Sequence, residues 1–185
     1  MTRSLTAPVH DAPTVASLLG ITYTANELAA LGPPPEPLEG FVTFFDPGLS
    51  ILRIRDAVKG KGRVFWAQDW YDRELFAAAV DIPRYRQVRA GPVPNSFRKT
   101  FDEQTALLPE GEEVPSARAV VTALVIHFLA TGERLLPNVY VRSADQTARG
   151  DRVCVGSFDS DGLYVGVDWD GGRIDYLGLA SSRKF

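Results

Sequence analysis

The stretch from Gly150 to Phe185 decides the fold: GDRVCVGSFDSDGLYVGVDWDGGRIDYLGLASSRKF. Three runs of alternating or β-branched residues, Arg152 to Phe158, Leu163 to Trp169 and Ile174 to Ser181, are separated by clusters of Asp and Gly. That pattern predicts an antiparallel meander. In the first turn, Asp159-Ser160-Asp161-Gly162, the Asp side chains can bond their own backbone and Gly supplies a positive φ, so a hairpin is expected. The second turn, Asp170-Gly171-Gly172, is looser. Tyr164, Asp168, Trp169, Asp170, Asp175 and Tyr176 crowd into this stretch. Flat rings offer contact area at low entropic cost while Gly and Asp adapt the remainder, which is the composition of a recognition surface. Strand alternation puts Tyr164, Gly166 and Asp168 on one face and Val165, Val167 and Trp169 on the other. With the polar face outward, Val167→Asp is expected to damage folding. Replacing Tyr164, Asp168 and Tyr176 together is expected to leave the melting temperature nearly unchanged.

Upstream of the meander lies the strongest helix signal of the chain, Ser116 to Thr131, with Ser116 or Pro115 at its start and Gly132 at its end. Its apolar positions, Val120, Val121, Leu124, Val125, Ile126, Phe128 and Leu129, run nearly all round the cylinder, so it is expected to be buried on most sides. Val139 to Arg142 predicts a strand leading into the meander. Thr100 and Glu103 form a capping box ahead of a short helix that Pro109 and Gly111 stop. Further back, strands are expected at Phe41 to Phe45, Arg63 to Gln68 and Tyr85 to Arg89. Ser50 is expected to cap a helix sharing Ile51, Ile54 and Val58, and Asp69 to Val80 to form another with Trp70, Leu75 and Ala78 or Ala79 turned inward. Met1 to Pro13 reads as poorly ordered. Two short helical pieces follow, the second with Thr24 and Glu27 at capping-box spacing, and Pro33-Pro34-Pro35 makes a stiff connector. Residues 1–39 are therefore expected to be a helical appendage with a Pro-rich linker, and residues 40–185 an α+β domain.

Composition limits the function. The 185 residues are 45% hydrophobic and 23% charged, an ordinary globular balance. A net charge of −3 argues against a broad nucleic-acid footprint. Basic residues bunch at Lys59, Lys61 and Arg63 and again at Arg84, Arg86, Arg89, Arg98 and Lys99, and each bunch reads as a solvated face. No apolar run approaches the roughly 20 residues of a membrane span, and the start has no apolar signal-peptide core. A soluble, unprocessed chain, cytoplasmic by default, is the expectation.

Catalytic chemistry is hard to assemble from these residues. His10 lies in the loose start and His127 inside the apolar helix, where a satisfied ring is the simplest reading. Cys154, the single cysteine, sits between Val153 and Val155 with nothing nearby to lower its pKa. Asp159, Asp161, Asp168 and Asp170 lack the spacing of a calcium loop, and turn chemistry accounts for the first two. No metal, no cofactor and no enzymatic activity are expected.

The C-terminal residues resemble a known family. Gly162-Leu163, the small and polar stretch broken by Trp169-Asp170 and Arg173, and the ending Leu177-Gly178-Leu179-Ala180-Ser181-Ser182-Arg183-Lys184-Phe185 are similar to the end of variable proteins diversified by retroelements. The resemblance implies a C-type-lectin-like fold, with an early strand, two helices, and a last strand returning beside the first. It covers about residues 84 to 185 in element order, and only the tail in motif. It also implies a non-catalytic, ligand-binding surface whose hypervariable positions descend from Asn codons with substituted adenines. On that scheme Tyr164, Gly166, Asp168, Asp170, Gly171, Gly172, Ile174, Asp175 and Tyr176 are the ligand-binding positions, with Trp169 and Arg173 as their scaffold. The ligand would be a protein or another macromolecule. Two other readings stand beside it: an accessory or inhibitor protein working through its N-terminal helical segment, and an α+β domain whose last hairpins merely complete a sheet.

Overall fold

The computed structural model describes residues 8–184, and the secondary structure begins with β1 (Val9–His10), α1 (Ala12–Leu19), α2 (Ala25–Ala30) and β2 (Phe41–Asp46). There follow α3 (Ile51–Ala57), α4 (Leu75–Ala78), β3 (Arg84–Arg89), α5 (Phe101–Thr105), β4 (Glu112–Glu113) and α6 (Ala117–Thr131). The chain closes with β5 (Tyr140–Gln146), β6 (Arg152–Asp159), β7 (Gly162–Asp168), β8 (Leu177–Leu179) and β9 (Ser182–Arg183). The class is α+β, with two sheets in the orders β1-β2-β3-β9-β4 and β7-β6-β5-β8.

Helix α6 is the piece both sheets share. The Ser116 side chain accepts from the Ala119 amide at its start, and Gly132, left-handed, ends it by donating to the Phe128 carbonyl. Every residue from Ala117 to His127 is buried, because the helix touches β1, β2 and β3 on one side and β5 and β6 on another. An apolar surface all round the cylinder is what that position demands.

The meander is antiparallel only in part. β5, β6 and β7 pair antiparallel, but β8 lies on the far edge of β5 and runs parallel to it. The expected third strand therefore shrinks to Leu177–Leu179. Asp170-Gly171-Gly172 belongs to a loop that carries the chain across the end of the sheet, not to a hairpin turn. Beyond β8 the chain leaves for the other sheet, where Ser182 pairs with Val88 of β3. Thus both sheets are mixed, in place of the single small antiparallel one expected.

Three further expectations are corrected. Arg63 to Gln68 forms no strand and makes one bridge, Phe65 to Leu163, where Gly162 lets the backbones close up: an added Cβ would stand 2.4 Å from the Phe65 carbonyl carbon. Asp69 to Val80 is helical only at α4; Tyr71, Phe76 and Ala77 turn inward, whereas Trp70, Leu75, Ala78 and Ala79 face outward. The Trp70 indole is instead held at the sheet edge by donating to the Val165 carbonyl at 3.0 Å. Nor is the second basic bunch simply solvated. Arg86 and Arg118 grip fully buried Asp46 at 2.6 and 2.7 Å and share Asp81, while Arg89 pairs with buried Glu112.

The N-terminal segment joins the same core. The expectation of poor order up to Pro13 falls partly on residues 1–7, outside the described residues; from Val9 onward the chain is structured. β1 pairs parallel with β2, Asp11 caps α1, and Ala12, Val15 and Leu19 pack into the main core. Among the described helices α2, opened by the Thr24 and Glu27 capping box, is the one with no buried residue. Among the described residues no helix is long and apolar enough to cross a membrane.

Candidate ligand-binding cleft

The registers of β5, β6 and β7 build the site. Tyr140 lies opposite Gly156, which lies opposite Tyr164; in the next row on that face Arg142, Cys154 and Gly166 stand abreast. Cross-strand partners share a face, so the two tyrosines flank a position that has no side chain. Gly156 is required there: its φ is 155°, and an added Cβ would stand 2.2 Å from the Val139 carbonyl oxygen. Across it the Tyr140 and Tyr164 rings meet edge to face, with centroids 5.8 Å apart. Tyr176, arriving just before β8, packs on Tyr140 at 6.1 Å, and Trp66 packs on Tyr164 at 6.4 Å. A Cβ on Gly166 would lie 2.7 Å from the Tyr164 ring, so this glycine seats that ring across the strand.

The three tyrosine rings and Trp70, together with Val167, Asp168, Ile174 and Leu177, wall a cleft of about 420 Å³ with Cys154 at its lining. A second hollow of about 220 Å³ adjoins it, sharing Tyr140 and Tyr164 and adding Trp66, Ser157 and Asp159. Trp66, Trp70, Val167 and Tyr176 all retain substantial exposure, so the cleft and its adjoining hollow open among exposed apolar side chains. Contiguous exposed apolar surface of this kind marks binding sites.

Arg142 holds the loop beneath. Fully buried, it donates to the Asp168 carboxylate at 2.7 Å, to the carbonyls of Trp169 and Gly172 at 2.9 and 2.8 Å, and to Lys99 O and Gln104 Oε1. Asp170 pairs in bidentate fashion with Arg152, which holds its carboxyl below the usual range, and the Arg152 guanidinium lies over the Phe101 ring at 3.7 Å. Asp175 pairs with Arg98 at the surface, and Arg173 with Glu103.

Of the positions singled out from the sequence, Tyr164, Gly166, Asp168, Ile174 and Tyr176 line the cleft. Asp170, Gly171, Gly172 and Asp175 do not. Asp170 and Asp175 are committed to arginines, Gly171 lies under the Trp169 ring, and Gly172 abuts the Arg142 and Asp168 pair. Trp169 is 72% exposed, so its ring belongs to the surface and not to an inward face. Val167 is 45% exposed where the strand outruns the core, which removes the reason to expect Val167→Asp to be destructive. Because Asp168 neutralises a buried arginine, replacing it with Tyr164 and Tyr176 cannot leave stability untouched.

Sequence reasoning missed Tyr140, Trp66 and Trp70, which come from other parts of the chain. A Tyr at the start of a predicted strand and two tryptophans in a short segment are weak signals until the registers are known. Cys154 lines the cleft with its thiol pushed up to about 12, chiefly by burial, so it is protonated at neutral pH. His10 and His127 meet each other in the core, with nitrogens 3.4 Å apart, and do not line the cleft. Among the described residues no group of three or more His, Cys, Asp and Glu side chains is placed to hold a metal. Comparison with family models, with curated proteins and with solved structures finds no match for this chain.

Proposed function

We propose that this protein is a non-catalytic recognition protein whose ligand seats in the aromatic cleft, on a C-type-lectin-like scaffold of the kind diversified by retroelements. The observation that carries the reading is the cleft itself: three tyrosines from β5, β7 and the loop before β8 wall it together with Trp70, and Trp66 packs on Tyr164 beside it. Concave, mostly apolar surfaces with a few polar groups are where ligands bind. The lectin-like part of the reading is supported by the return of β9 beside β3, with α5 and α6 between them in the chain. The absence of catalysis is supported by Cys154, the cleft's one thiol, which burial holds protonated. The buried face of α1 weighs against an accessory role for the N-terminal segment, since its apolar side is already used within the core.

The test is selection of binders from a random-peptide display library, followed by measurement of each on Tyr164→Ala and Tyr176→Ala proteins of unchanged far-UV spectrum. Most selected binders are expected to lose at least tenfold in affinity. Binders that hold both variants equally well would place recognition elsewhere. The retroelement part is tested in the genome: a near-copy of the 3′ end of the gene, differing at adenines and lying beside a reverse transcriptase, is the expected finding.

A further inference from the structure

We infer that the cleft is an aromatic cage for a quaternary ammonium ion. The inference rests on the cleft being the binding site and adds the chemistry of what enters it. Four rings contribute, Trp70, Tyr140, Tyr164 and Tyr176, with Trp66 at the rim of the adjoining hollow. Successive centroids along Tyr176, Tyr140, Tyr164 and Trp66 are separated by 6.1, 5.8 and 6.4 Å, and the ring planes turn by 56°, 85° and 67°. A cation is attracted by a ring face within about 6 Å of its centroid. The neighbouring rings pack on one another at steep angles, and because Trp70, Tyr140, Tyr164 and Tyr176 wall one cleft, a single ion seated there meets several of them at once.

The charges agree. Asp168 lines the main cleft and Asp159 the adjoining hollow, and no Lys, Arg or His lines either. Arg142, below the cleft, is fully buried, and its two terminal nitrogens donate to Asp168, Gln104 and three carbonyls. Asp168 gives Oδ2 to that arginine, and its Oδ1 accepts no hydrogen bond from the described residues. An anion would meet tyrosine faces, the carboxylate of Asp159 in the adjoining hollow, and an Asp168 already paired with Arg142, with no free cation to receive it among the lining residues. A neutral apolar group would gain the same burial and none of the attraction to the ring faces, and that difference is what separates the two ligands experimentally.

The experiment titrates the full chain, by amide and indole NMR shifts, with choline and with its uncharged carbon analogue 3,3-dimethylbutan-1-ol. Choline is expected to shift the signals of Trp70, Tyr140, Tyr164 and Tyr176 and to bind at least fivefold more tightly than the alcohol. Tyr176 is more than half exposed, so its replacement spares the core. Tyr176→Phe, which keeps the ring, is expected to retain binding, and Tyr176→Leu, which keeps only apolar bulk, to weaken choline by about 3- to 30-fold. Equal binding of choline and the alcohol at these residues would overturn the cage while leaving the cleft as the binding site. Shifts confined to other residues, or none at all, would overturn the cage too, and the peptide selection would then judge the cleft separately.

Discussion

Single residues in this protein divide between those the core cannot spare and those the cleft leaves free. Leu124 is 2% exposed at the centre of α6, so Leu124→Ala is expected to cost about 2–5 kcal/mol in urea unfolding. Val165 and Val167 are two positions apart on one strand, yet their fates differ. Val165→Asp buries an unpaired charge and is expected to prevent folding, whereas Val167→Asp is expected to shift the melting temperature little, because its side chain already meets solvent. Arg142 is the residue whose importance the sequence hid most completely. Its removal as Arg142→Met leaves Asp168 and several carbonyls without their donor, and a loss of about 3–5 kcal/mol is expected, readable as a lowered urea midpoint.

Among the elements, β1 carries a pH dependence. His10, buried between β1 and α6, has its pKa lowered to about 4, first by burial and then by repulsion from His127, with Asp11 opposing. The folded protein therefore holds His10 neutral, while the unfolded chain takes up a proton near the ordinary value of 6.5. Stability from this group is complete above about pH 6.5 and is lost as pH falls toward 4. Unfolding free energies measured across that window are expected to decline, and His10→Phe to flatten the decline. Hydrogen exchange at Val9 and His10 is expected to accelerate over the same range, since β1 is an edge strand held by β2 alone in its sheet. The element α4 makes a different point. A twelve-residue helical pattern yielded a four-residue helix because Tyr71 and Phe76 were drawn into the core and Trp70 was held by the β7 edge.

At the scale of the whole molecule, α6 makes one core out of two sheets, and the N-terminal segment is part of it. Deleting residues 1–39 is expected to destabilise the protein by at least about 3 kcal/mol, from Val15 and Leu19 alone, rather than to remove a separate module; a thermal melt of the truncated chain checks this. By itself the sequence determined what depends on neighbours along the chain. Ser116 and Gly132 bounded α6, Thr24 with Glu27 and Thr100 with Glu103 formed both capping boxes, and Asp159 to Gly162 turned β6 into β7. Caps, turns and hydrophobic periods act over a few residues, so their letters suffice. Tertiary structure alone decided that β8 would run parallel on the far edge of β5, that Tyr140 would face Tyr164 across Gly156, and that Trp66 and Trp70 would reach them. It also decided that Asp168, Asp170 and Asp175 would each pair with an arginine from another part of the chain. Strand order, register and ion pairing are settled by contacts between residues far apart in sequence, where the gain from packing outweighs any local preference.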